Sequence, residues 1–185
     1  MTTERPSSCQ QSEDDVTLAF RILVAVSSLL TVQPSPTPDP TRDLRRIESL
    51  VFSTPISDFV RLTGAHSLDD AWFDWTTDGC SAPVIGDSGR SFDFSRPCLR
   101  HDFAYRNYKL LDSRYSCPNR PSASLCAAGD VRPGVYWNAT VRQRIDQRFR
   151  NDMMYECALR RTSERFRCRL WAETYYKAVR IAGGP

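Results

Sequence analysis

The chain has 185 residues, which is the size of one globular domain and excludes a multidomain machine. A hydrophobic fraction of 41% is enough for a core and excludes wholesale disorder. The net charge of +3 is unevenly distributed, because residues 1–97 hold eight Arg against fourteen acids, whereas residues 98–185 hold fifteen Arg and two Lys against eight acids. The second half therefore carries +9, which favours either an anionic partner or a solvated helical surface.

The first forty residues differ in character from the rest. Residues 18–32 form an apolar segment interrupted only by Arg21, too short to span a bilayer comfortably and similar to the hydrophobic region of a signal peptide. Residues 13–15 are acidic where a signal peptide carries positive charge, so a membrane anchor and a buried helix remain alternatives. Residues 33–40 have Pro at every second position, which predicts an extended linker. We therefore predict a targeting-like segment with its linker at 1–40 and a folded domain at 41–185.

The folded domain is predicted to be all-α, a small bundle of helices joined by long loops. In chain order the predicted elements are helices at 43–62 with a break at Pro55, a short turn at 67–75, a loop at 76–97, a helix at 98–111, a loop at 112–137, a helix after the N-cap Asn138 and a last helix at 163–181. Loops of this length are functional or tied by disulfides. Seven cysteines indicate an oxidising compartment and favour such ties.

The residues that carry chemistry are concentrated around His101, one of only two His in the chain. Tyr105 and Tyr108 follow it at helical spacing, so the three side chains project from one face and can share a hydrogen-bonded pocket. On the following helix, Asp146 lies at the edge of the apolar stripe, where it can face a neighbouring helix. A His and an Asp from neighbouring helices make a general base with its orienting carboxylate. The plainer alternative is a packed or surface His and a solvated Asp.

Three other residues suggest a metal site. Asp78 and Asp102 supply hard carboxylate oxygens, and Gly79 offers a carbonyl on flexible backbone, which are the ligand types that calcium prefers. An Asp in a loop is more often a turn residue, so spacing alone leaves this open. The CxxC pairing of a zinc site is absent, and so is the GxSxG of a serine nucleophile elbow.

Four sequence blocks together resemble the secreted phospholipase A2 family of bacteria and filamentous fungi. They are FDWTTDGCS at 73–81, SFDF at 91–94, CLRHDFAYRNYK at 98–109 and RIDQRF at 144–149. Their order, spacing and identity make the match specific over residues 44–181, with an insertion between Lys109 and Asn138. The chain departs from the family pattern at Val84, where an acid usually stands, and at Ala104, where Gly is usual. Neither position carries the chemistry.

The resemblance implies a calcium-dependent enzyme that hydrolyses the sn-2 ester of glycerophospholipids into a fatty acid and a lysophospholipid. His101 would be the general base and Asp146 its orienting partner. Asp78, Asp102 and the carbonyl of Gly79 would hold Ca²⁺. The implied fold is a small disulfide-tied bundle dominated by two antiparallel helices that carry the His and the Asp. The 41–185 domain would then be catalytic.

The same resemblance implies a secreted monomer that meets its phospholipid substrate at a membrane or micelle interface and binds no nucleic acid. Four arginines favour an anionic interface, unless they only solvate a helix face: Arg142, Arg148, Arg150 and Arg160. A nucleic-acid binder is a rival, but Trp171 falls on an apolar helix face and is expected in the core rather than stacked on a base. A second rival is a non-catalytic phospholipase-like module at lipid or protein surfaces, and the intact His101, Asp102 and Asp146 argue against it.

In an oxidising compartment we predict three disulfides that each close a short loop. The pairs are Cys80 with Cys98, Cys117 with Cys126 and Cys157 with Cys168, which leaves Cys9 unpaired. The first would tie the implied calcium loop to the start of the catalytic helix. The triplet at 138–140 is an N-glycosylation acceptor, unless Asn138 serves only as a helix cap.

Overall fold

The computed structural model describes residues 39–80, 92–117, 126, 132 and 134–182, and all of its regular elements in these residues are helical. They are α1 (Pro40–Glu48) with a π-helical turn (Ser49–Ser53), α2 (Ile56–Gly64), a 3₁₀ turn (Leu68–Asp70), α3 (Ser95–Tyr115), α4 (Ala139–Ala158) and α5 (Thr162–Ala182). The predicted all-α class is therefore confirmed. None of the described helices is long and apolar enough to cross a membrane. The apolar 18–32 segment and Cys9 lie outside the described residues.

The first helix begins inside the predicted linker. Pro40, the last residue of that linker, is the first residue of α1, and the carboxylate of Asp39 accepts hydrogen bonds from the backbone N–H groups of Thr41 and Arg42 at 2.8 and 3.0 Å. Pro fits the first helical position because its missing N–H would have no partner there. The helical periodicity from Asp43 onward missed this start, since Asp39 and Pro40 contribute no apolar residue to the pattern.

The helix that carries His101 is longer at both ends than the sequence predicts. It starts at Ser95 instead of Cys98, so Pro97 lies in its first turn, where a residue without an N–H is tolerated. It ends at Tyr115 instead of Leu111 because Asp112 is buried and receives backbone N–H groups from the following loop. The donors are Gly134, Tyr136 and Trp137, at 3.1, 2.8 and 3.0 Å. The predicted loop at 112–137 therefore starts after Tyr115.

Helices α3 and α4 are antiparallel. Three side-chain contacts cross their interface in reverse order. They are the ion pairs Arg96–Glu156 and Arg100–Asp152, at 3.3 Å each, and the hydrogen bond between His101 and Asp146 at 2.9 Å. The predicted pair of antiparallel helices is thereby confirmed. This register determines which residue of α4 lies opposite His101.

Two hydrophobic clusters meet along α4. The first joins α1, α2 and α3 and includes Phe59, Phe103 and Ile145, whereas the second joins α4 and α5 and includes Phe149 and Met153. Each fully buried side chain of this size contributes about 1.5–3 kcal/mol. Because Ile145 belongs to one cluster and Phe149 to the other, the residue after Ile145 is held inside the protein between them.

All three predicted disulfides are present. Cys80 is bonded to Cys98, Cys117 to Cys126 and Cys157 to Cys168. The first joins the loop before α3 to the first turn of that helix, and the third joins α4 to α5. In the chain-entropy model each loop closure contributes on the order of 3 kcal/mol.

Asn138 acts as the predicted N-cap of α4. Its side-chain oxygen accepts the N–H of Val141 at 3.1 Å, and its amide nitrogen donates to the carbonyl of Gly134 at 3.3 Å. Both ends of the amide are engaged, which favours the cap over a glycan at this position.

Candidate functional site

The centre of the site is a contact between the two long helices. Nε2 of His101 on α3 lies 2.9 Å from Oδ1 of Asp146 on α4. The His101 side chain is 11% exposed and that of Asp146 is fully buried. With Nε2 donating to the carboxylate, Nδ1 is left as the nitrogen that can accept a proton. The structure thus brings together the His and the Asp that the sequence analysis selected.

Asp146 is held by three further groups. The Tyr105 hydroxyl donates to Oδ1 at 2.6 Å, and the Arg180 guanidinium donates to Oδ2 at 2.9 Å. Nε of Arg142, one turn earlier on α4, forms an ion pair with Oδ2 at 3.7 Å. Burial by itself would raise the pKa of Asp146, but hydrogen bonds from His101, Tyr105 and Arg180 lower it below its ordinary value. The carboxylate is therefore ionised and fixed in position.

Aromatic rings enclose the imidazole. The ring centroids of Tyr105 and Phe149 lie 4.3 and 4.7 Å from that of His101. Tyr108, which the helical spacing also placed with His101, does not join this group. It is buried in the first hydrophobic cluster, and its hydroxyl donates to Glu48 at the end of α1. Of the three side chains predicted to share a pocket, His101 and Tyr105 do so and Tyr108 does not.

Among the residues proposed as metal ligands, Asp102 follows His101 directly on α3, and Asp78 and Gly79 lie in the loop before that helix. Oδ2 of Asp102 accepts the Thr77 hydroxyl at 2.5 Å and the Asp78 backbone N–H at 3.1 Å, so the loop before α3 is bound to the Asp102 carboxylate. Gly79 has a φ of 70°, a left-handed conformation that suits glycine. The Asp78 carboxylate is 59% exposed and lies 3.2 Å from the guanidinium of Arg106.

The donor chemistry of this loop fits calcium. Burial raises the pKa of Asp102, and the negative charge of Asp78 adds to the rise. Two carboxylates that disfavour each other's charge are stabilised by a divalent cation, and oxygen is the ligand that calcium takes. Across the described ranges, no three His, Cys, Asp or Glu side chains converge on a metal position. A cation here would therefore use Asp78 and Asp102 together with backbone oxygens such as that of Gly79.

One cavity of about 580 Å³ connects these features. Its polar wall contains His101 and Asp102 from α3 and Asp78 from the preceding loop. Its apolar wall comes from the C-terminal half of α5, through Tyr175, Ala178, Val179 and Ala182. A volume of this order accommodates a small organic ligand. The candidate base and the candidate metal ligands thus open into the same space, which also has an apolar side.

Most of the arginines proposed to contact an interface have partners inside the protein. Arg148 forms an ion pair with Asp152 at 3.2 Å, and Arg150 forms one with Glu173. Arg142 is committed to Asp146, and only Arg160 of the four has no carboxylate partner among the described ion pairs. These three ion pairs use carboxylates that the net charge of +9 already counts, so they fix the three arginines in place without reducing that net charge.

The prediction that Trp171 lies in the core is wrong. This residue is 36% exposed, because the buried face of α5 is formed by Cys168, Ala172 and Tyr175. The second histidine, His66, stacks on Trp75 at a centroid distance of 4.9 Å and does not line the cavity.

Two residues that contact Asp146 were not assigned to the site from the sequence, which placed Arg142 at an anionic interface instead and did not select Arg180. Arg142 had a usable signal, because it precedes Asp146 by four residues and such pairs face each other on a helix. Arg180 had none, because it lies 34 residues from Asp146 and meets it only through the packing of α5 on α4.

Comparison with known proteins identifies the family. The model of the prokaryotic phospholipase A2 family matches residues 47–121 and 134–183. A secretory phospholipase A2 of Beauveria bassiana is 31% identical over 166 residues, which cover 88% of this chain and 72% of that protein. One of Arthroderma benhamiae is 30% identical over 139 residues, with coverages of 74% and 76%.

The matched regions contain every block on which the resemblance rests, from FDWTTDGCS to RIDQRF. They leave out residues 122–133, inside the insertion that follows α3. The chain therefore belongs to the prokaryotic phospholipase A2 family and is a lipid-hydrolysing enzyme.

Proposed function

We propose that the enzyme hydrolyses the sn-2 ester of glycerophospholipids in a calcium-dependent reaction, with His101 and Asp146 as its dyad. The observation that carries the proposal is the 2.9 Å contact between His101 Nε2 and Asp146 Oδ1, beside a cavity that also contains Asp78 and Asp102. The names of the two fungal relatives add that they are secretory phospholipases A2.

In the proposed reaction Nδ1 of His101 takes a proton from a water molecule, and the water oxygen attacks the ester carbonyl carbon. Asp146 keeps Nε2 protonated and stabilises the imidazolium that forms. When the tetrahedral intermediate collapses, the bond from the carbonyl carbon to the glycerol oxygen breaks. The imidazolium returns its proton to that oxygen. The products are a fatty acid and a lysophospholipid.

Asp78, Asp102 and the Gly79 carbonyl are the residues that would hold calcium. When bound there, the ion supplies a Lewis acid for the phosphate and the developing oxyanion. The hydrogen bonds from Thr77 and the Asp78 N–H to Oδ2 of Asp102 support this proposal, because they keep the Asp102 carboxylate next to the loop that bears Asp78 and Gly79. Asp102 follows His101 directly, so one turn of α3 would orient both the base and a metal ligand.

The apolar wall of the cavity suits an acyl chain, and the charged wall suits the ester and phosphate region. We propose that the substrate is taken from a membrane or micelle interface by a monomer. Three disulfides and the secretory relatives support secretion, with residues 1–40 as a targeting-like segment and linker and 41–185 as the catalytic domain.

The first experiment measures fatty-acid release from mixed micelles with calcium and with a chelator. The proposal expects hydrolysis at the sn-2 position that requires calcium. Calcium-independent release would overturn the role of the Asp78 and Asp102 loop. No release under either condition would favour a non-catalytic module that keeps the scaffold.

A pair of variants separates the two roles. His101→Ala should abolish hydrolysis but leave calcium affinity close to wild type, because the imidazole is not among the proposed ligands. Asp102→Asn should weaken calcium binding and lose turnover as a result, since an amide is a poor replacement for a carboxylate on a hard cation. Calcium titration by calorimetry and a hydrolysis assay on both variants provide the comparison. Undiminished hydrolysis by His101→Ala, or equal calcium affinity in Asp102→Asn, would contradict the assignment.

A further inference from the structure

The two oxygens of Asp146 have different partners. Oδ1 receives His101 and Tyr105, at 2.9 and 2.6 Å. Oδ2 receives the guanidinium of Arg180 at 2.9 Å and faces that of Arg142 at 3.7 Å. A carboxylate is a planar group, so a hydrogen bond that fixes Oδ2 also fixes the direction in which Oδ1 points. The proposed reaction uses only Oδ1, which leaves the Oδ2 contacts without an assigned role.

Arg180 comes from the last turn of α5, and Arg142 fixes that turn. The Arg142 guanidinium donates to the backbone carbonyls of Val179 and Arg180 at 3.2 and 2.6 Å. The last carbonyls of a helix have no partner within the helix, so these bonds also satisfy groups that would otherwise be unpaired. Arg142, Asp146 and the end of α5 thus form a closed set of contacts.

We propose that Arg180 is a positioning residue for the reaction, with Arg142 holding the turn that bears it. This inference rests on the proposed function. Arg180 anchors Oδ2 so that Oδ1 stays directed at Nε2 of His101, and the C-terminal turn of α5 becomes part of the catalytic arrangement. The helix contributes in two distinct ways, because Ala178, Val179 and Ala182 line the cavity but Arg180 does not.

The burial of the pair separates it from an ordinary surface ion pair. The Arg180 side chain is 34% exposed, but its partner Asp146 is fully buried. Exposed pairs contribute little because water solvates both partners equally well when they are apart. Water cannot replace Arg180 so easily at a buried carboxylate oxygen, and a hydrogen bond to a charged group is among the stronger ones.

Kinetics of the full chain on a short-chain phospholipid, below its micelle-forming concentration, test the inference. Arg180→Gln should lower kcat by about 10-fold, the size of one lost hydrogen bond to a charged group, and change KM by less than about 2-fold. Arg180→Lys should recover most of kcat because it returns a cationic donor. Lys177→Gln, an exposed cation on the same helix, should match wild type.

The separate changes in kcat and KM distinguish a positioning role of Arg180 from a purely structural one. If Arg180 only held α5 in place, its loss would shift the apolar wall of the cavity and raise KM. A double-mutant cycle adds a second criterion: in the Asp146→Asn background, Arg180→Gln should lower kcat by less than about 2-fold, since its partner is already altered.

Equal losses in both backgrounds, a rise in KM without a fall in kcat, or no effect of Arg180→Gln in an active enzyme would overturn this inference alone. A wild-type chain without hydrolytic activity would overturn the proposed function and, with it, this inference.

Discussion

Two of the three buried carboxylates on α4, Asp146 and Asp152, both face arginines, and yet their pKa values are shifted in opposite directions. Asp146 accepts hydrogen bonds from His101, Tyr105 and Arg180, and its pKa is lowered. Burial raises the pKa of Asp152, although Arg100 lies 3.3 Å away. Oδ2 of Asp152 accepts no hydrogen bond from the residues that the structure describes. Proximity of a cation is therefore not sufficient, and aligned donors decide whether the pKa of a buried carboxylate is lowered or raised.

The neighbouring residues explain why Asp146 and Asp152 differ. Asp146 lies beside the cavity, where a charged partner for an imidazole is useful. Asp152 is covered by Arg100, which is 1% exposed. The Arg100 guanidinium donates to the carbonyls of Val51 and Thr54 at 3.1 and 2.7 Å. These carbonyls belong to the connection between α1 and α2. Arg100 therefore anchors the fold, and the ion pair with Asp152 accompanies that structural role.

The largest effect on activity is expected from substitution of Asp146. Asp146→Asn keeps the shape but can present a donor to an imidazole nitrogen that itself donates. Hydrolysis should fall roughly 10- to 10⁴-fold, by analogy with other His–Asp pairs. Initial rates on mixed micelles with saturating calcium measure the loss, and circular dichroism verifies the fold. Wild-type rates in a folded Asp146→Asn variant would contradict the dyad.

The largest effect on stability is expected from substitution of Arg100, which pairs with Asp152. Arg100→Met leaves the buried Asp152 with only one of its two cationic partners, Arg148 at 3.2 Å, and removes the donor to two backbone carbonyls. It should lower the free energy of unfolding by about 3–5 kcal/mol. Denaturant unfolding of the purified variant measures it.

A matched double variant sharpens this prediction. Arg100→Met with Asp152→Leu removes both charges and should recover part of the loss, because an apolar pair avoids the desolvation cost. If the double variant were less stable than Arg100→Met alone, the backbone hydrogen bonds of Arg100 would account for the loss instead of the weakened pairing of Asp152.

A smaller effect should separate two of the three tyrosines of α3, Tyr105 and Tyr108. Tyr105→Phe removes the 2.6 Å hydrogen bond to Asp146 and should lower kcat by about 10-fold. Tyr108→Phe removes a hydroxyl that donates to Glu48 and should leave kcat close to wild type. Both substitutions keep the aromatic ring, so the packing of the ring is the same in each variant and only the hydroxyl is lost. Equal kcat values for the two variants would contradict the assigned difference.

These tyrosines also show where sequence periodicity stops being informative. Spacing places His101, Tyr105 and Tyr108 on one side of α3, and that much follows from 3.6 residues per turn. It does not say which neighbouring element each side chain meets. Tyr108 meets the end of α1, and only the tertiary packing of α1 on α3 makes Glu48 available to it.

The parts of the fold that the sequence predicts correctly depend on neighbouring residues, as helix caps and helical periodicity do, or on cysteines that close short loops. The Asn138 cap, the last helix at 163–181 against Thr162–Ala182, and the three disulfides are of this kind. The extension of α3 to Tyr115 was missed because it depends on Asp112, which binds backbone groups more than twenty residues away. Arg180 was missed for the same reason, since its contact exists only after α5 packs against α4.

The pH dependence of stability should have opposite signs at the two carboxylates. The folded-state pKa of Asp146 is lowered, so its ionisation stabilises the fold above the unfolded-state pKa, and that stability is lost as the pH falls through the folded-state value. The free energy of unfolding of wild type relative to Asp146→Asn should therefore decrease as the pH is lowered from about 6 to about 3.

Asp152 should behave in the reverse way, because its folded-state pKa is raised and its charged form is the one that burial disfavours. Below the unfolded-state pKa the carboxyl is neutral in both states and carries no such cost. As the pH rises through the unfolded-state and then the folded-state value, the wild type should lose stability relative to Asp152→Asn. Urea unfolding of wild type and both Asn variants across this range gives the two differences. Slopes of the same sign would show that hydrogen bonding does not distinguish the carboxylates, and the contrast between Asp146 and Asp152 would not stand.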